Sequence, residues 1–206
     1  MAGAISSGKS TVCSLLEEKG AVVVSADRIG HALLEKGESI HEKIVERFGK
    51  GILDGEGRID RKKLGGEVFS TPEALADLDK IIHPRLIEIL RNKIGEMRRG
   101  GSGIGVVDAA LISEWGLQDE FDVYVYVHAP RERRATWYIE KTGRTREDFE
   151  LRDRAQWPPE KKGAGADIRL ENDQGEKELL DKAEHLSAIL QEMEQSQEQC
   201  ITRVKL

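Results

Sequence analysis

The sequence is poor in the residues that would mark it as a scaffold, a membrane protein or a nucleic-acid coat. It has two cysteines, Cys13 and Cys200, far apart and without metal or redox spacing, which excludes a disulfide framework and a zinc module and leaves ordinary reduced thiols. No apolar run is long enough to cross a bilayer, and no charged-then-apolar leader opens the chain, so the expected location is cytoplasmic, with no membrane partner. Positive charge is not in excess. With 32 Lys and Arg against 38 Asp and Glu, the net charge is −6, which argues against nucleic acid as a partner because backbone binding needs clustered cations. Any phosphate site must therefore be local. Repeats and low-complexity blocks are absent too, and 206 residues suit one domain that is large enough to bury a core.

What is present alternates between strand-like and helix-like segments. A turn rich in glycine and serine, Met1 to Ser10, runs into an apolar-periodic stretch from Thr11 to Lys19 that Gly20 closes. Three short β-branched runs follow along the chain: Ala21 to Ser25, Ile104 to Val107 and Val123 to Val127. Each reads as a strand buried on both faces, and Ile168 to Leu170 is a weaker fourth. Between the first two lie helical segments from Arg28 to Lys36, from Ile40 to Phe48, from near Asp60, and a longer one capped by Ser70 or Thr71 with Pro72 at its first position. His83 and Pro84 should interrupt that helix. Arg131 to Lys141 and Glu176 to Met193 read as helices, 142–165 as charged and loop-prone, and 194–206 as a frayed tail. Strands alternating with helices predict a parallel α/β sheet.

The first turn carries the chemistry. Gly3-Ala4-Ile5-Ser6-Ser7-Gly8-Lys9-Ser10 is a complete G-x-x-x-x-G-K-[ST] pattern leading directly into a helix. Glycines let the backbone curl so that amides point inward, the helix start adds about half a positive charge, Lys9 reaches the β- and γ-phosphates, and Ser10 can ligate magnesium. The alternative, a helix start with an incidental lysine, does not account for the full pattern. ATP with Mg2+ is the expected cofactor pair. Such a loop should hang from a buried strand, yet only Met1 and Ala2 precede Gly3, so the first strand is expected to be truncated. An interior strand's absence would leave a slot roughly twice the ~4.8 Å strand spacing.

Several stretches resemble the dephospho-coenzyme A kinase family, to about Leu186. GAISSGKST, through Thr11, is similar to the family's loop, with Ala4 where a second glycine is usual. VVVSADRIGH resembles its short strand and acidic turn, Asp27 taking one of two acidic positions and Ser25 the other. The stretch from Phe48 through Arg61 and Phe69 to His83-Pro84 looks very like the family signature. VVDAALISEWGL resembles a segment in which Ala110 replaces a proline and Glu114 is retained. The final stretch places Arg152, Gln156, Lys162, Ala166-Asp167 and Asn172 at matching positions, whereas Trp137 and Lys141 stand where the family has arginines. The resemblance implies transfer of ATP's terminal phosphate to the ribose 3'-hydroxyl of dephospho-coenzyme A, the last step of coenzyme A biosynthesis. Alternatives are another small-molecule or nucleoside monophosphate kinase, or a catalytically weak nucleotide-binding protein.

Phosphoryl transfer asks for positioning and charge neutralisation, which assigns roles to these residues. Lys9, Asp27 and Arg152 are the catalytic candidates, Asp27 as a base or water-mediated metal holder, otherwise a helix cap; Arg152 as a lid cation, otherwise an exposed helix residue. Arg144, Arg146 and Lys162 are weaker lid cations. The nucleotide candidates are Gly3 to Thr11 and, near adenine, Asn172, which equally suits a turn. The acceptor candidates are Asp27, Arg61, His83 and Glu114; their alternatives are a pair with Asp60 or Glu56 for Arg61, a packed residue for His83, and an ordinary helix position for Glu114. Metal candidates are Ser10 and Asp108, the latter otherwise a turn residue. The tryptophans at 115, 137 and 157 read as packing residues. The expected whole is a three-layer P-loop kinase domain over 1–193, with a helical substrate-binding insertion at about 40–97 and a mobile lid at about 142–165, as a monomer or small homo-oligomer.

Overall fold

The computed structural model describes residues 1–35, 37–100 and 103–204, with side chains through 196. The chain divides into two compact units: Met1–Val24 with the chain from Ile94 onward, and Ser25–Lys93.

The first unit is built on a sheet whose centre is β4 (Val125–His128). It pairs in parallel with β5 (Ile168–Glu171) over four residues, from Val125 opposite Ile168 to His128 opposite Glu171. On its other side lies β1, only Ala2–Gly3, in parallel register with Tyr126 and Val127. β2 (Val22–Ser25) and β3 (Gly105–Asp108) form a second ladder. Met1 joins the two, because its ammonium donates to the Val107 carbonyl at 2.6 Å and its carbonyl accepts from Ala109 N–H at 3.2 Å. The first strand is thus short but present, which corrects the expected gap: the chain pairs from its first residue, and the loop's own first glycine is part of the strand. β2 departs from expectation as well. Val22 is 60% exposed, and among the described residues β2 has one sheet neighbour, β3. A β-branched run reads the same for an edge as for a central strand.

Alternation along β4 sets the layers. Val125 and Val127 pack with Val12 and Leu16 of α1 (Lys9–Glu18) and with Leu179 and Leu186 of α9 (Glu176–Val204). The residue between them, Tyr126, meets the opposite side, where a Cβ on Gly163 would fall 2.9 Å from its ring, just after α8 (Pro159–Lys162). Helices therefore cover both faces. α6 (Arg131–Thr142) and α7 (Arg146–Arg154) pack through Ala135, Tyr138 and Phe149. The segment expected to be loop-prone thus holds two helices, α7 being capped by the Thr145 hydroxyl, which accepts from Asp148 N–H at 3.3 Å. α9 also continues past Met193 to Val204, through most of the expected tail; residues 205–206 lie outside the described residues.

The second unit contains α2 (Ala26–Leu33), α3 (Ser39–Phe48), α4 (Arg61–Val68) and the start of α5 (Pro72–Arg99). Asp54 closes the turn after α3, accepting from the Glu56 and Arg58 amides at 2.9 Å each; the Arg58 backbone bond above all holds its carboxyl down at about 2. Asp60 caps α4 by accepting from Lys62 and Lys63, and Thr71 caps α5 by accepting from Ala74. The interruption expected at His83-Pro84 does not occur, for α5 runs unbroken with Pro84 inside it. An internal proline costs ~3 kcal/mol and one amide. Leu86 and Leu90, buried one turn apart beyond it, anchor the continuation.

The Met1 ammonium occupies the place of a peptide N–H in the interior, and burial lowers its pKa from 8.0 to about 6. The unfolded chain keeps this proton up to pH ~8 while the folded chain releases it above ~6, so U binds more protons in that window and stability rises with pH across it. A cavity of about 170 Å³, lined by Met1, Ile104, Val106, Val123, Val125 and Leu190 among others, adjoins the same group. Joining three apolar residues to Met1 turns the amine into an amide and prolongs β1. The expected outcome is a Tm raised by roughly 5 °C and a shallower rise in stability between pH 6 and 8, read by thermal melts of both proteins; an unchanged Tm and pH profile contradicts this account.

Candidate active site

The phosphate loop leaves β1 at Gly3 and enters α1 at Lys9. Space dictates its glycines: a Cβ on Gly3 would fall 2.6 Å from the Val127 carbonyl oxygen, and one on Gly8, at φ 101°, would fall 2.6 Å from both Asn172 Nδ2 and Leu179 Cδ2. Gly8 is the α1 N-cap without a side-chain cap, and no acidic residue sits in the first turn. The opening amides and the helix dipole are therefore left for an anion. Ser6 has φ 56°, the one non-glycine residue in the left-handed region among those described. Two buried polar atoms at this site, Ser7 Oγ and Asn172 Oδ1, have no hydrogen-bond partner among the described residues. A curled, amide-rich cradle with an unsatisfied donor in the Ser7 hydroxyl fits a nucleotide's polyphosphate, whereas Asn172 Oδ1 can only accept.

Asn172 lies at the loop itself. Its Nδ2 donates to the Ser7 carbonyl at 3.0 Å and its backbone N–H to the His128 carbonyl at 2.7 Å, with only 5% of its surface exposed. Ile5, one of the nucleotide candidates, gives its N–H to Gln156 Oε1 at 3.1 Å. Sequence reasoning had placed Gln156 by resemblance without a role. It passed over Arg134 altogether, although that residue falls on the stripe 134, 135, 138 of α6 that the fold buries. A cation on an apolar stripe was the available signal.

The lid cations are paired. Arg152 Nε donates to Asp148 Oδ2 at 2.8 Å one turn away, and Tyr138 hydroxyl and Arg144 share that carboxylate, which holds it below the usual range although burial opposes this. Arg146 pairs with Glu132 at 2.7 Å. Lys162 is no lid cation: it is fully buried, and its Nζ donates to the Ala110 carbonyl at 2.5 Å and pairs with Glu114 Oε1 at 2.8 Å. Burial pulls the Lys162 pKa down, and Glu114 opposes that. Glu114 also accepts from Trp157 N–H at 3.0 Å; it lies in a run of turns rather than a helix, and its Oε2 is buried without a partner among the described residues. Asp108 ends β3, half-buried, where its charge reaches the Met1 ammonium and Cys13, whose thiol burial pushes up to about 12. Ser10 is exposed in the first turn of α1.

Asp27, Arg61 and His83 belong to the Ser25–Lys93 unit. Asp27 is exposed in the first turn of α2, and the cap is Ser25, whose Oγ accepts from Arg28 N–H at 3.4 Å. The helix-cap alternative for Asp27 therefore falls away. Arg61 opens α4; of the partners considered for it, Asp60 caps that helix and Glu56 pairs with Arg58 at 2.9 Å. His83 Nε2 lies 3.2 Å from Asp79 one turn back, and burial raises the Asp79 pKa against the pull of His83.

Comparison with known proteins gives a consistent picture. A sequence model of the family described as Dephospho-CoA kinase matches residues 1–178. A Geobacter sulfurreducens protein named Dephospho-CoA kinase is 37% identical over 188 residues, covering 91% of this chain and 95% of its own length. An Aquifex aeolicus protein of the same name is 39% identical over 175 residues, covering 84% and 86%. Among solved structures, TT1252 from Thermus thermophilus superposes with a TM-score of 0.72 at 33% identity over 93% of this chain and 94% of that one. A Dephospho-CoA kinase from Campylobacter jejuni, at 24% identity and TM-score 0.67 over 95% and 96%, shares the fold.

The buried Lys162–Glu114 pair yields a direct test. Lys162→Met strands a carboxylate that is 14% exposed and should cost ~3 kcal/mol in urea unfolding. Adding Glu114→Gln removes the stranded charge and should recover at least half of that; equal losses in the single and double variants would show that the pair is not the cause.

Proposed function

The chain belongs to the dephospho-CoA kinase family, and from that premise we propose how its residues serve the family's reaction, the ATP-dependent phosphorylation of dephospho-CoA to CoA. The observation that carries the reading is the phosphate loop: a complete motif, folded between a buried strand and a helix start, with its close approaches satisfied only by glycine. Loop amides and Lys9 hold the β- and γ-phosphates, and Asn172 braces the loop from below through Ser7. Ser10 and Asp108 would hold magnesium, which when bound would neutralise the phosphate charge.

Asp27 accepts the proton of the ribose 3'-hydroxyl as that oxygen attacks the γ-phosphorus. The new P–O bond forms as the bond to the β-phosphate oxygen breaks, and ADP leaves with the electron pair. Arg152 exchanges its pair with Asp148 for the transferring phosphoryl group. Arg61 and His83 grip the acceptor. Glu114 acts at one remove, fixing Lys162 and the chain at Trp157. The acidic charge and the soluble metabolite substrates favour a cytoplasmic enzyme, working as a monomer or small homo-oligomer without nucleic-acid partners. No helix among the described residues is long and apolar enough to cross a membrane.

ADP release with ATP and Mg2+ is expected to depend on dephospho-CoA and to fall to background with adenosine, nucleoside monophosphates or sugars as acceptors. Equal or greater release with one of those acceptors refutes the acceptor assignment. Asp27→Asn should leave ATP affinity within about twofold and lower kcat at least ~10²-fold, as loss of a general base does; retained turnover removes Asp27 from catalysis. Arg152→Met should lower kcat by at least ~10-fold with a much smaller change in ATP affinity, and the reverse pattern rules out a lid role.

A further inference from the structure

Arg134 is a charged side chain with 1% of its surface exposed. Its guanidinium donates from Nε to the Ala129 carbonyl at 3.2 Å and from Nη1 to both Asp153 Oδ1, at 2.5 Å, and the carbonyl of Ile5 in the phosphate loop, at 3.3 Å. The carbon at its centre lies 5.6 Å from the middle of the Phe149 ring. Ile5 is held in two further ways by the same arm: Gln156, just beyond α7, accepts its N–H, and its side chain packs on Ala135, Tyr138 and Phe149. The next residue is Ser6, whose φ of 56° carries a steric cost for any residue with a Cβ. A strained conformation persists only where its surroundings over-determine it. Here the surroundings are the three attachments of Ile5, together with the Ser7 N–H, which closes the turn on the Ala4 carbonyl at 3.1 Å.

We propose that Arg134 is a positioning residue for ATP: by fixing the Ile5 carbonyl it holds Ser6 in its left-handed turn, and through Asp153 it ties the phosphate loop to the helix that carries Arg152. The cradle's shape and the lid helix's position are thereby set by one buried guanidinium. Lysine cannot substitute, because a single ammonium lacks the planar fork that reaches Ala129, Ile5 and Asp153 together. The kinase reading supplies the setting for this proposal, but nucleotide binding tests it without any acceptor.

The experiment measures ATP–Mg2+ affinity by equilibrium binding, then kcat and both KM values, for wild type, Arg134→Lys, and Arg134→Lys combined with Ser6→Gly. Arg134→Lys is expected to weaken ATP binding about tenfold while the KM for dephospho-CoA stays within about twofold. Glycine adopts φ 56° without the Cβ penalty, so Ser6→Gly should restore at least about threefold of the lost affinity. A fold-stabilising arginine with no link to the loop would lower Tm without moving ATP affinity, and Ser6→Gly would rescue nothing; either result overturns the proposal. Should Arg134→Lys not fold, Arg134→Gln with Asp153→Asn leaves no stranded carboxylate and should show the same loss, and unchanged affinity there is equally fatal. A wild type that binds ATP but does not phosphorylate dephospho-CoA would count against the acceptor assignment alone.

Discussion

The rest of the structure depends on how closely the chain passes the central strand at Gly3. Its α-carbon runs so near the Val127 carbonyl that a methyl group there would sit 2.6 Å from the oxygen. That approach lets two residues of β1 complete a sheet and then turn at once into the loop, delivering Gly8 to the start of α1. Behind it, Met1 uses its ammonium and carbonyl as a peptide group would, tying β3 to β1. The cost is a buried amine, whose pKa burial lowers to about 6.

The loop is fixed from two directions by different chemistry. From the α9 side, Asn172 and Leu179 fill the space that a side chain at position 8 would need. From the α6–α7 side, Arg134, Gln156 and the cluster around Phe149 hold Ile5. Between these anchors lies Ser6, the strained residue. Pre-organisation of this kind places the reorganisation cost of phosphate binding in the fold rather than in the binding step.

Charge on the arm is arranged so that few cations stand alone. Asp148 gathers Arg144, Arg152 and the Tyr138 hydroxyl, while Asp153 gathers Arg131 and Arg134. The pairs nearer the surface are individually weak and exchangeable, which would suit the lid role proposed for Arg152. The buried ones, Arg134–Asp153 and Lys162–Glu114, are not exchangeable at low cost. Solvent access therefore separates the weakly held cations from the buried, paired ones, although all of them belong to one basic, charge-rich stretch of sequence.

Local rules carried much of this. The phosphate motif, the helix starts at Asp60 and Thr71, the strands around Val106 and Val125, and the family resemblance are all sequence-local, because backbone propensity, capping and glycine requirements act over a few residues. What failed was whatever depended on neighbours distant in the chain. A β-branched run could not say that β2 has, among the described residues, one sheet neighbour. Pro84 could not reveal that Leu86 and Leu90 would carry α5 past it. Two residues before Gly3 looked too few for a strand until Tyr126 and Val127 were seen to pair with them. Lys162 looked like a lid cation, and Arg134 like one arginine among many, because burial and partnership are properties of the folded chain. The sequence by itself determined the fold class, the phosphate loop and the kind of chemistry; only the tertiary structure decided which charges are buried, since that depends on contacts more than a hundred residues apart, as between Ile5 and Arg134.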